Sequence, residues 1–403
     1  MADVVIVGGG PIGNWTAIQL KARNPKLDVQ IYERHPDYMR DHLLNIREMS
    51  FDRHAAPKTP ETENLRERII RAHRGMNVAD KTIVLQTQDL ESILKTEAER
   101  LGVKTTYETI QSPQDVMMRH PECKLFVAAD GTRSAMRNAL LGQNSVEETP
   151  MFESMDVTYD SRGKPGFVSR PTFDRVDDMV VESISRGKDG ISTVNLRFLV
   201  DEAMYASLFE ATFKTPLTFD RIAEIRKSYG QRNIDMFRVE NHIREFMKIR
   251  AQEAGDDFIP GTERIVRVKL SRYASEKFAV KTAAPALETG WFMVGDAAMG
   301  MPFSRSINSG LMQGSQLANI LADPNTSFAQ KIAQYEGTRA GKLREEFTGV
   351  AAKEGLVKFY QNGVRPILRA GGKVAFVVIG IPVMVVLFGL SALTGGRLGL
   401  RLM

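Results

Sequence analysis

Apolar residues recur along this chain at two periods, and the switches between them mark its elements. Val4–Val7 is a short, wholly apolar run, as expected of a strand buried on both faces. It leads straight into Gly8-x-Gly10-x-x-Gly13, after which Asn14–Leu20 continues at helical spacing. A second apolar run, Val29–Tyr32, ends in Glu33. The stretch after Glu33 is charged and poor in periodicity; it predicts a loop opening into a helix around Leu43–Phe51, with a charged helix near Asn64–His73. Thr82–Leu85 predicts a strand. Leu90, Ile93, Leu94, Ala98 and Leu101 then predict an amphipathic helix stopped by Gly102. Lys104–Ile110 and Leu125–Ala129 predict two more strands, the second running into Asp130-Gly131.

From about residue 150 the pattern changes. Asp178–Ser183 and Ser192–Val200 alternate, which predicts antiparallel strands, with helices near Ala203–Phe213 and Phe219–Tyr229. The aromatics and methionines of this region, Phe167, Phe173, Met179, Phe198, Met204 and Phe237, are expected in its core. Trp291–Val294 restores the wholly apolar strand pattern and ends in Gly295-Asp296, and helices follow over about Asn308–Leu321 and Phe328–Phe359. A chain of 403 residues exceeds the usual single core, so two units are expected.

The glycine pattern is what first carries chemistry. Gly8 permits a tight turn, Gly10 lets backbone amides approach a pyrophosphate at a helix N-terminus, and Gly13 lets that helix pack close to the strand. Glu33 follows at about the 20-residue offset expected of an acid that accepts a ribose hydroxyl. Strand before, helix after and acid at this distance together predict a dinucleotide site, with a free ribose hydroxyl as in FAD or NAD.

Composition narrows the partners. The single cysteine, Cys123, excludes a disulfide within the chain and a cysteine-cluster metal site, and it fits a reducing, cytoplasmic compartment. No metal is expected, and no secretory signal is expected before the first strand. The net charge of +5 is uneven: residues 331–403 hold 11 Lys/Arg against 4 Asp/Glu, a net of +7, leaving −2 for the rest. Basic residues interleaved with aromatics are not found, so no nucleic-acid partner is expected. Val374–Leu393 is twenty residues without a charge, flanked by Lys373, Arg397 and Arg401. That length meets the threshold for a spanning helix, and Gly380, Pro382 and Gly389 are tolerated in one. Membrane association is the favoured expectation, with a hydrophobic hairpin packed on the protein as the alternative.

Three pieces now stand in order: the glycine motif with Glu33, then Asp130-Gly131-x-x-Ser134-x-x-Arg137, then Gly295-Asp296-Ala297-Ala298 before Pro302 and Asn308. Their combination resembles the class A flavoprotein monooxygenases, the family of para-hydroxybenzoate hydroxylase, kynurenine 3-monooxygenase and the MICAL oxidases. The resemblance implies an α/β fold: a Rossmann-type FAD-binding domain from residues 1–150 and 286–330, an inserted β-sheet-rich substrate domain at 151–285, and C-terminal helices over 331–403. It implies that Asp296 holds a ribitol hydroxyl and that the amides beginning the Asn308 helix meet the flavin or pyrophosphate. It also implies that Asp130 and Gly131 lie near the pyrophosphate; a strand-end turn with Arg137 paired to Asp130 is the alternative. The stretch RHPDYMRDHLLNI resembles the loop that passes alongside FAD, which places Arg40, His42 and Asn45 near the cofactor, with His42 as a candidate proton donor or base. Gln86 falls where the family sets an Arg or Gln, though Gln88 is close enough to take its place. Arg34, beside Glu33, and Ser306 complete the expected cofactor set.

One departure matters. The family writes Pro-x-x-Gly-x-Gly-x-Asn, whereas here Pro302 leads through Phe303-Ser304-Arg305-Ser306-Ile307 to Asn308. Both glycines are missing. Arg305 is therefore a candidate for the flavin N1/C2 carbonyl edge, where it would stabilise anionic reduced flavin; a surface ion pair is its plainer role. The function implied is an FAD-dependent monooxygenase that uses NADPH or NADH and molecular oxygen on a small-molecule substrate whose identity the sequence leaves open, an aromatic acid and a protein methionine being the two candidates. Two alternatives stay open: a membrane-associated FAD-dependent reductase or dehydrogenase, and a catalytically silent flavoprotein acting through interactions.

Overall fold

The computed structural model describes residues 2–36, 43–57, 60–71, 82–166, 168, 180–186, 190–229, 234–283, 288–302 and 305–359. The chain divides into two compact units, one of residues 1–149 and 271–345, the other of 150–270 and 346–403.

In the first unit, β1 (Val4–Val7), α1 (Pro11–Arg23) and β2 (Val29–Glu33) follow the pattern read from the sequence. Then come β3 (Leu43–Arg47), α2 (Met49–Asp52), α3 (Pro60–Arg71), β4 (Thr82–Gln86) and α4 (Thr87–Arg100). β5 (Lys104–Tyr107), α5 (Pro113–Arg119), β6 (Leu125–Ala128) and α6 (Ala135–Leu141) complete the first pass. The helix expected over Leu43–Phe51 is mostly a strand. Leu44 and Ile46 alternate and lie opposite Leu85 and Ile83 of β4, and Ile46, Ile83 and Leu85 are buried, so a partner forty residues away decides the conformation.

The chain leaves along β7 (Val146–Arg162) and continues through β8 (Val180–Arg186), β9 (Ile191–Leu199), α7 (Glu202–Ser207), α8 (Phe219–Tyr229), α9 (Ile234–Glu253) and β10 (Asp257–Phe258). It returns along β11 (Arg264–Ser275) to β12 (Ala279–Ala283), β13 (Glu288–Met293), a 3-10 turn at Gly295–Ala297, β14 (Met299–Gly300), α10 (Arg305–Ala322) and α11 (Phe328–Phe359).

The sheet of the first unit runs β12-β13-β6-β1-β2-β5 and is parallel except at the β12–β13 pair. Its centre, β1, is buried along its whole length, as its apolar run requires. Residues 271–283, grouped with the inserted domain on their sequence pattern, fall in this unit, where β12 pairs with β13 along five residues, Ala279–Ala283.

Helix α1 packs on α10 through small residues. A methyl added at Gly310 would lie 2.8 Å from Ile12 Cδ1, and one at Gly314 2.6 Å from Thr16 Oγ1. The Trp15 indole donates to Leu311 O at 3.0 Å and Ser315 Oγ at 2.9 Å. These contacts fix α1, and with it the glycine turn at its start.

In the second unit β7, β9 and β8 pair antiparallel and alternate cleanly. Met155, Val157 and Tyr159 of β7 and Val194, Leu196 and Phe198 of β9 bury one face against Ile222 and Ile225 of α8 and Met236, Val239, Ile243 and Phe246 of α9. The other face carries cross-strand polar pairs: Arg197 with Asp156 at 2.7 Å, Asn195 with Thr158 at 2.7 Å, and Thr193 with Asp160 at 2.8 Å. Arg250, fully buried, holds Asp256 at 2.8 Å, the Tyr159 hydroxyl at 3.0 Å and Glu182 at 2.5 Å. Phe198 and Met204 take the core positions expected of them, but Phe237 is 46 % exposed under the Arg226 guanidinium; Phe167, Phe173 and Met179 lie outside the described residues. The helix expected over Ala203–Phe213 stops at Ser207, and α9 has no counterpart in the sequence expectations.

Candidate functional site

Four parallel strands, adjacent in the order β13-β6-β1-β2, end at the same edge of the first sheet, and each delivers a residue singled out by sequence. Gly8 follows β1, Glu33 closes β2, Asp130 follows β6 and Asp296 follows β13. β1 is flanked by β2 on one side and β6 on the other, so the chain reverses its direction of winding there. Open parallel sheets take their ligands at the carboxyl ends of such strands.

The glycines have separable reasons. Gly8 has φ +108°, and a Cβ there would sit 2.3 Å from Ala129 O. A Cβ on Gly13 would lie 1.9 Å from Gly8 O, so only hydrogen fits between helix and strand. At Gly10 a Cβ would meet none of the described residues within 4 Å. Gly10 is also the N-cap of α1, without a side-chain capping bond, and Pro11 occupies the first turn. The first amides of α1 have no side-chain cap and stand at the positive end of the helix dipole, which is the local chemistry of an anion cradle. Asn14, which the sequence reading passed over, braces the turn by donating to the carbonyls of Gly9 and Gly10. An amide-bearing residue four positions after the N-cap is the signal that marks it.

The Glu33 carboxylate is half-buried and accepts from Gly9 N at 2.6 Å and His35 N at 2.9 Å, which aims it at the glycine turn. Arg34 is exposed beside it. Asn45 lies within β3 and Gln86 ends β4, facing Leu43 across the pair; the Asn45 and Gln86 side chains, with Arg40 and His42, lie outside the described residues. Gln88 is exposed on α4.

On the other side of β1, Gly131 turns at φ +84°. Asp130 Oδ2 accepts from Met136 N at 3.2 Å at the start of α6, while its Oδ1 is buried without a partner among the described residues. Burial pushes the Asp130 carboxyl above the usual carboxylate range, against the bonds from Ser134 and the α6 amides. The alternative pairing of Arg137 with Asp130 is not what forms. Arg137, buried, donates instead to Ala297 O at 3.1 Å and Thr132 O at 2.9 Å, so it ties the β6 turn to the β13 turn.

Asp296 stands half-exposed, with Thr132 Oγ1 3.3 Å from its Oδ2. Its carbonyl accepts from Tyr273 OH at 2.9 Å, and a Cβ on Gly300 would strike the Tyr273 ring at 2.1 Å. Tyr273, buried enough that its phenol is pushed well above its ordinary value, thus holds the Asp296 turn. It was not legible in advance, because only the lack of a side chain at Gly300 makes its position possible. Pro302 is buried, and the Ser306 hydroxyl bonds both ends of Met301, accepting from N at 2.8 Å and donating to O at 3.2 Å. Arg305 is half-buried at the first residue of α10. Asn308 is buried and accepts from Arg47 N and Ser50 Oγ, both at 2.7 Å. Its side chain therefore ties α10 to the β3–α2 connection.

No family model matches this chain. A search of curated proteins finds none that matches it either. Solved structures do. CtdE, determined with FAD and a substrate, has a TM-score of 0.56 at 14 % identity, over 91 % of this chain and 91 % of its own. The tetracycline destructase Tet(51) has a TM-score of 0.51 at 12 % identity, over 88 % of this chain and 91 % of its own. The Diels-Alderase PyrE3 of pyrroindomycin biosynthesis has a TM-score of 0.52 at 14 % identity, over 98 % of this chain and 79 % of its own. The chain shares their mixed α/β fold with its parallel sheet. A destructase and a Diels-Alderase on one fold leave the chemistry to be argued from the site.

Proposed function

We propose that the protein is an FAD-dependent monooxygenase that uses NADPH or NADH and molecular oxygen to hydroxylate or oxygenate a small, aromatic substrate. The observation that carries the reading is the convergence of Gly8–Gly13, Glu33, Asp130 and Asp296 at four neighbouring strand ends, with open space at Gly10. The residues fit the cofactor: an uncapped helix start suits a pyrophosphate, and Glu33 and Asp296 suit hydroxyls at its two ends. That CtdE was determined with FAD supports the same cofactor here.

The α1 amides and the Gly10 backbone hold the pyrophosphate. Glu33 accepts the adenosine ribose hydroxyl and Asp296 a ribitol hydroxyl, each already braced, Glu33 by Gly9 N and Asp296 by Thr132 and Tyr273. Asp130 and Gly131 flank the phosphates, and Arg34, Arg40, Asn45, Gln86, Pro302, Ser306 and Asn308 complete the surround. When bound, FAD supplies the electron transfer from NAD(P)H and the reaction with oxygen. Arg305 sets the electrostatics near the isoalloxazine and His42 moves a proton beside it. The inserted unit supplies the substrate pocket, and residues 374–393, outside the described residues, attach this cytoplasmic enzyme to a membrane; among the described residues no helix is long and apolar enough to cross one.

An absorption spectrum of the purified protein tests the reading, followed by anaerobic addition of NADPH and then NADH. Bands near about 370 and 450 nm that either nucleotide bleaches are expected. A protein that FAD cannot turn yellow overturns it. The clasp of Ser306 on Met301, where the family carries glycine, favours one second reading, an FAD-dependent reductase. Nucleotide oxidation that proceeds equally without oxygen, given a quinone acceptor, selects that reading.

A further inference from the structure

The second unit carries an apolar surface that its own fold does not use. After α7 the chain turns through residues 208–218, and Leu208, Ala211 and Leu217 are buried, which pins the turn at both ends. Between them Phe209 is 48 % exposed and Phe213 74 %. The apex, Thr212-Phe213-Lys214-Thr215, is braced by its two threonines. Thr212 N donates to Thr215 O at 3.1 Å, and Thr215 N to Thr212 Oγ1 at 3.0 Å. The two threonine hydroxyls bond at 2.7 Å, and Thr215 Oγ1 donates to Glu210 O at 3.2 Å. Arg221 reaches the Glu210 carboxylate at 3.0 Å and offsets its charge.

These bonds hold the apex in one shape, so that meeting a surface costs it little further ordering. A rigid apex presenting a phenylalanine beside a lysine has the chemistry of an interfacial anchor: the ring enters the boundary between headgroups and acyl chains, and the ammonium meets lipid phosphate. The rest of the chain selects a bilayer over a protein partner. Residues 374–393 are twenty uncharged positions flanked by Lys373, Arg397 and Arg401, and residues 331–403 carry a net +7, complementary to an anionic surface.

We infer that the Phe209–Lys214 loop dips into the interface of an anionic bilayer, as a second membrane contact beside the C-terminal segment. The inference rests on the proposed membrane attachment of residues 374–393, and its test separates the two. Trp15 and Trp291 are 4 % and 0 % exposed, so a single Phe213→Trp substitution in the full chain adds a reporter at the apex. The full-length variant is mixed with phosphatidylcholine vesicles, with and without phosphatidylserine. Emission should shift to the blue with the anionic vesicles and be quenched by brominated acyl chains. Phe213→Ser should lower partition into the same vesicles by about tenfold, the effect of losing one buried aromatic side chain. Sedimentation of the full chain with vesicles, without a shift at position 213, overturns the loop contact and leaves the C-terminal attachment standing. No sedimentation overturns both. A shift that grows with protein concentration in the absence of lipid makes the loop a contact between copies and overturns the inference as well.

Discussion

At Gly13 a methyl group would sit 1.9 Å from the Gly8 carbonyl oxygen, whereas at Gly10 it would meet none of the described residues within 4 Å. The two glycines therefore fail differently. Gly13→Ala should destabilise the fold by about 1–3 kcal/mol, because helix and strand must move apart. Gly10→Ala should leave the melting temperature of the flavin-free protein nearly unchanged and weaken flavin binding by at least about tenfold, some 1.4 kcal/mol. Thermal melts beside flavin titrations measure both, and equal losses at the two sites would falsify the proposed cradle. Asp130 makes a pH prediction. Its folded-state carboxyl lies above its ordinary value because it is buried, so the folded protein holds this proton more firmly than the unfolded chain. That contribution is fully present in acid and is lost as pH rises through the raised value. Asp130→Asn removes the penalty. Urea unfolding should find the variant the more stable of the two at neutral pH, with the difference shrinking toward acid pH. Arg305→Ala tests the electrostatic role given to that side chain: the flavin reduction potential should fall, and an unchanged potential removes the role.

Among the elements, the α1–α10 contact depends on the absence of side chains at Gly310 and Gly314. Gly314→Leu should cost about 2–3 kcal/mol of unfolding free energy by urea titration, since Thr16 and Trp15 leave no room. Ser315→Ala should cost far less, because the Trp15 indole keeps its bond to Leu311 O. The elements nearest the cofactor motifs were the most legible. Val4–Val7, Val29–Glu33 and Leu125–Ala128 are apolar runs bounded by glycine or acid, and short-range pattern decides them. β3 was not legible, since only its pairing with β4 makes Leu43–Arg47 extended. Helix α9 could have been found, for Met236, Val239, Ile243 and Phe246 follow helical spacing. Arg137 and Tyr273 lie at the opposite extreme. Each reaches a carbonyl more than twenty residues away, Ala297 O and Asp296 O, and no local spacing announces such a bond.

For the molecule as a whole, a ligand that binds only the folded chain must stabilise it. Free FAD at about 100 times its Kd should raise the unfolding free energy by about 2.7 kcal/mol, read as a shift in the urea midpoint. In the second unit, Arg250 lies between the Asp256 and Glu182 carboxylates, and Arg250→Met leaves both without their counter-charge. A loss of about 3–5 kcal/mol is expected from that change, far more than a surface arginine would give. The order of strands in the first sheet also bears on how the chain is made. β6 ends at Ala128 and its neighbour β13 at Met293, so 165 residues must be synthesised between the two. At translation rates of about 5–20 residues per second that interval is roughly 8–33 s. Throughout it the nascent chain carries β6 as an open, apolar edge, with α10 not yet made to cover α1. Expression should therefore respond more to chaperone supply than to any substitution in the finished site.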